Sequence, residues 1–81
     1  MDDEQILSQI SGYVTEEKDL RGKLQRGELS QAEEQERLKR IEVALDQCWD
    51  LLRQRRARED AGENPGEAHV RPASEVEGYI Q

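Results

Sequence analysis

The 81-residue sequence predicts an all-α protein: an antiparallel, coiled-coil-like hairpin of two helices that pairs into a four-helix bundle and carries a flexible C-terminal tail. Three observations predict it. Leu38, Ile41, Leu45, Cys48 and Leu52 recur in steps of three and four, which places them on one face of a helix. Two N-terminal capping signatures, Asp2 with Gln5 and Ser30 with Glu33, bracket a chain reversal at Gly27. From Ala61 the composition turns to glycine, proline and acids with few apolar side chains, a mixture that cannot bury a core of its own.

The first helix is expected over about residues 3–26. Asp2, Asp3 and Glu4 place negative charge where the helix dipole favours it. Ile6, Ile10, Tyr13, Leu20 and Leu24 form its stripe, interrupted by Glu17, whose carboxylate is expected to lean out toward Arg21 or Lys39. Gly12 and Gly22 each weaken a helix interior by about 1 kcal/mol relative to alanine, so this helix should depend on its neighbour. Gly12 either admits a second backbone at close range or is merely tolerated.

The reversal falls at Gln25-Arg26-Gly27-Glu28-Leu29-Ser30, with Gly27 suited to the left-handed position past a helix end and Lys23 and Arg26 in the last turn. So short a connection makes the helices antiparallel neighbours. The fold-over sets Tyr13 near Ile41, Ile10 near Leu45, and Ile6 near Cys48 and Trp49.

The second helix is expected over residues 31–60. Its charged face, with Glu33 to Arg37 and Glu36 to Arg40 at four-residue spacing, reads as solvated. Trp49, the largest apolar side chain, is expected either as the core anchor opposite Ile6 or as the hot spot of an oligomer interface. Leu7 and Val14 on the first helix, and Val43 and Leu51 on the second, lie off the seam and supply a second interface. One thin seam does not offset the entropy of ordering two helices. A symmetric homodimer is therefore expected, with a hairpin that completes its core on a different protein as the rival.

Arg53, Arg55, Arg56 and Arg58 end the second helix. They either complement the helix terminus and pair with Asp2, Asp3 and Glu4, or form a basic handle for RNA, DNA or an acidic protein surface. No aromatic residue interleaves with them and Glu59 and Asp60 follow directly, so the nucleic-acid signal is weak. Residues 61–81 are expected as a flexible acidic tail. Within it, Ser74 with Glu77 would cap one terminal helical turn presenting Val76, Tyr79 and Ile80 as a docking peptide, for this hairpin, a second copy or another protein.

Catalysis is poorly supported. His69 is the sole histidine and Cys48 the sole cysteine, so no disulfide, zinc ligand set or nucleophile with a paired base is evident. No cofactor, metal or small-molecule substrate is expected. The net charge of −7 opposes a polyanion-binding role for the whole chain. No apolar run has the length of a membrane span and the acidic start differs from a secretory signal, which makes a cytoplasmic protein the expectation.

The opening M-D-D-E-Q-I-L, the block L-D-Q-C-W-D-L-L-R-Q-R-R-A-R and the ending V-R-P-A-S-E-V-E-G-Y-I-Q together resemble a family of short actinobacterial proteins known as a domain of unknown function. The resemblance spans nearly the whole chain and implies a bacterial cytosolic protein. It carries over no activity or catalytic residue, but it makes the tail ending part of the family pattern.

Overall fold

A computed structural model of the chain describes residues 1–76. Two long helices, α1 (Asp3–Gln25) and α2 (Gln31–Asp60), form the antiparallel hairpin. A single 3-10 turn (Pro65–Glu67) and a short helix, α3 (Ala73–Val76), follow, and no strand occurs among the described residues. The described chain is a slab of 51 × 24 × 16 Å, one helix layer thick over much of its length.

Both helices begin and end by the same local chemistry. The Asp2 carboxylate accepts from the Gln5 N–H at 2.8 Å, while the Asp2 N–H donates to the Gln5 side chain at 2.9 Å. Ser30 and Glu33 repeat this reciprocal box at the start of α2. At the far ends Gly27 and Gly62 take φ of 74° and 75°, where a Cβ would be strained. Each permits a Schellman closure. Glu28 N–H reaches Lys23 C=O at 2.9 Å, and Glu63 N–H reaches Arg58 C=O at 2.7 Å, satisfying carbonyls that the helices leave open. Gly12 has open space where a Cβ would lie, so it admits no close backbone approach. Glu17 leans out to Arg21 at 2.8 Å.

The core sits at the open end of the hairpin, remote from the turn. Ile6, Ile10, Cys48 and Leu51 form it, with Tyr13, Leu45, Leu52 and Ala68 packed around. Leu20 and Ile41 are buried nearer the turn, where Leu24 and Leu38 are only half-buried. Glu34 is nearly buried because it continues the Leu38–Ile41 row one turn toward the helix start.

Two expectations require correction. Trp49 is not opposite Ile6 in the core, since the seam runs through Cys48 and the next residue is rotated about 100° away. Leu51, assigned to a second interface, is core: it is 5% exposed and belongs to the cluster against which Ala68 of the returning chain also packs. The tail also gains definition. It has no core of its own, as its composition implies, but residues 61–76 return along α2, and both the 3-10 turn and α3 pack against that helix.

Candidate interaction site

The spacing of residues on α2 divides its C-terminal half into three faces. One, with Ile41, Cys48 and Arg55, meets α1 and the N-terminus. A second, with Gln47, Asp50, Gln54 and Arg58, holds the returning chain. The third, with Glu42, Leu45, Asp46, Trp49, Leu52, Arg53 and Arg56, lines shallow recesses open to solvent.

The second face is a polar strap. Arg71 grips Asp50 side-on along one guanidinium edge, donating Nε to Oδ2 at 2.8 Å and Nη2 to Oδ1. Asp50 is 1% exposed, and Gln54 Nε2 donates to its Oδ2 at 2.9 Å as well as to the His69 carbonyl at 2.7 Å. Gln47 Nε2 donates to the Arg71 carbonyl at 3.1 Å. Beyond the strap, Val76 is fully buried. The other proposed docking residues, Tyr79 and Ile80, lie outside the described residues.

The Arg71 hydrogen bond, aided by Gln54 and by the positive charge of Arg71 and Arg53, holds the Asp50 carboxyl below its ordinary pKa against the opposing effect of burial. A depressed carboxylate contributes stability that is complete above its unfolded value, about 3.9, and is lost as pH falls through the folded one. The amide resonances of residues 69–76 are therefore expected to keep their folded positions at pH 5 and shift toward random coil below about pH 4. An Asp50→Asn variant should show no such step. Retention of the step in that variant would assign it to another carboxylate.

The four arginines do not form one patch. Arg55 is turned inward, with its side chain 11% exposed, pairs with Asp3, and donates to the Met1 carbonyl at 2.6 Å and the Pro65 carbonyl at 3.2 Å. It ties the N-terminus, α2 and the returning chain together at one point. Arg58 lies 3.6 Å from Glu63 and 3.4 Å from Glu67. Only Arg53 and Arg56 reach the open face. A single basic handle is thus corrected to two internal clamps and two surface cations, because residues 53 to 58 span more than one helical turn.

On the open face Trp49 is 43% exposed and Leu7, across the groove on α1, is 50% exposed. Both line a recess of about 490 Å³ with Leu52, Arg53 and Arg56, bordered by Asp3 and Glu59. Val14, one heptad beyond Leu7, is exposed too, while Val43 is half-buried. Cys48 lies within the core, 3.8 Å from the Gln9 side-chain oxygen, and burial pushes its thiol pKa up, away from the thiolate a nucleophile requires. His69 is exposed and contributes its backbone to the strap. Among the described residues no group of three or more His, Cys, Asp and Glu could hold a metal ion, and no helix is long and apolar enough to cross a membrane.

Asp50, Gln47, Gln54 and Arg71 escape a reading by motif. The available signal is Asp50 itself, an acid between Trp49 and Leu51 with Arg53 as the one cation at three- or four-residue spacing.

Comparison with known proteins places the chain among actinobacterial relatives. It is 57% identical over 77 residues to an uncharacterized protein of Mycobacterium tuberculosis, covering 95% of this chain and 88% of that one. An uncharacterized protein of Mycobacterium bovis matches to the same extent. No solved structure matches the sequence. Residues 2–81 match the family described as "Protein of unknown function (DUF2630)", and the chain belongs to that family, in agreement with the resemblance carried by its opening, central and closing motifs.

Proposed function

We propose that this protein is a small, non-catalytic interaction module that self-associates through the open face of α2. The observation that carries this reading is Trp49. A tryptophan 43% exposed, beside Leu7 at 50% and over half-buried Leu45 and Leu52, leaves apolar surface where the returning chain could have been laid but was not. Aromatic side chains ringed by charge are the usual energetic centre of protein interfaces. Buried Asp50 and its partner Arg71 hold the chain to itself, and Cys48 has its thiol pushed away from reactivity. The exposed cations Arg53 and Arg56 share their face with Glu42, Asp46 and Glu59, a mixed surface that suits a protein partner better than a polyanion.

Sedimentation equilibrium from low micromolar to near-millimolar concentration tests this. The protein is expected to pass from monomer to dimer, and Trp49→Ser, a change at an exposed position, is expected to keep the helical circular dichroism while weakening association at least tenfold. A strictly monomeric, folded wild type over that range would overturn the reading.

A further inference from the structure

The open face of α2 is self-complementary about Trp49, and we infer that its occupant is the α2 helix of a second copy, antiparallel, with the twofold axis passing at Trp49. This deepens the self-association proposed above and rests on it. Glu42 and Arg56 each lie seven positions from Trp49, on opposite sides. Seven residues are two helical turns, so both stand on the same stripe as Trp49, about 10 Å along the axis in either direction.

Antiparallel twofold packing brings Glu42 of one copy level with Arg56 of the other, twice over. Asp46 and Arg53, three and four positions out, occupy one flank of the stripe. Leu45 and Leu52, four and three positions out, occupy the other flank. The same operation therefore sets acid against base on one side and leucine against leucine on the other.

Parallel packing would instead align Glu42 with Glu42 and Arg56 with Arg56, which like-charge repulsion disfavours. The rest of the fold leaves room. The α1-facing residues Ile41 and Cys48 and the strap residues Asp50 and Gln54 lie outside the arc around Trp49. In this arrangement the α1 helices lie at the flanks, with exposed Leu7 and Val14 bordering the joint, and four helices form the assembly.

Charge reversal in trans tests the geometry. Glu42→Arg and Arg56→Glu, both at exposed positions, are each expected to weaken homodimerisation at least tenfold, since each places two like pairs across the axis. An equimolar mixture of the two variants regenerates both opposite pairs and is expected to form a heterodimer of near wild-type affinity, read by sedimentation and native mass spectrometry. Circular dichroism and the thermal transition of each variant establish folding. The milder Glu42→Gln and Arg56→Gln variants should weaken dimerisation in the same direction should a reversal fail to fold. Recovery in the mixture supports the antiparallel joint. A wild-type dimer whose reversals neither weaken it nor recover on mixing would overturn the joint while leaving self-association standing, whereas a monomeric wild type would remove both.

Discussion

Replacement of Arg71 by alanine is expected to lower stability by about 3 kcal/mol, a large fraction of what a small domain possesses. The magnitude follows from the asymmetry of the pair. Arg71 keeps part of its side chain in water, but Asp50 is 1% exposed. Removing the cation leaves a buried carboxylate with the Gln54 amide as its remaining hydrogen-bond donor in the strap. An exposed ion pair of the same geometry would be worth less than about 1 kcal/mol.

Urea unfolding followed by circular dichroism measures the loss, and hydrogen exchange of residues 69–76 localises it. Those amides should exchange freely in the variant while the centre of α2 stays protected. The double variant Asp50→Leu with Arg71→Met should recover most of the stability, because an apolar pair of similar volume often replaces a buried ion pair without loss. A loss under about 1 kcal/mol for Arg71→Ala would mean that the strap behaves as a surface contact.

How much of this was legible in the sequence depends on the distance over which each feature is encoded. The capping boxes at Asp2–Gln5 and Ser30–Glu33 and the glycines at 27 and 62 act over three to six residues, so spacing alone reveals them. The hairpin follows from two local facts, a matching seam and a short turn. The strap is different. Arg71 meets Asp50 across 21 positions, and neither residue differs in type from the many solvated charges around it. Trp49 shows the limit of periodicity at a helix with three faces. Cys48 and Trp49 are neighbours in sequence, and a stripe drawn through both assigns each to the seam, yet only Cys48 can face α1. Which of several apolar rows is covered depends on where the returning chain lies, and that is set by Asp50, Gln54 and Gln47.

The strap also explains why the open end, and not the turn, should be the stable end. Ile6→Ala is expected to lower stability by about 2–5 kcal/mol, as for truncation of a fully buried isoleucine with little room to collapse. Leu24→Ala, at a half-buried site beside the turn, should lower it by less than about 2 kcal/mol. The turn closes the hairpin through backbone bonds at Gly27, whereas at the far end three segments meet: α1 through Ile6 and Ile10, α2 through Cys48 and Leu51, and the returning chain through Ala68. Arg55 joins the same three segments by polar contacts to Asp3, Met1 and Pro65.

Because Ile6 belongs to the cluster against which Ala68 of the returning chain packs, their contributions should be coupled. The double variant Ile6→Ala with Arg71→Ala is expected to lose less than the sum of the single losses, by more than about 0.5 kcal/mol, since the first opening already relaxes what the second would release. Additivity within about 0.3 kcal/mol in the same urea experiment would instead mean that hairpin and returning chain are energetically separate, and that the core at the open end belongs to the two helices alone.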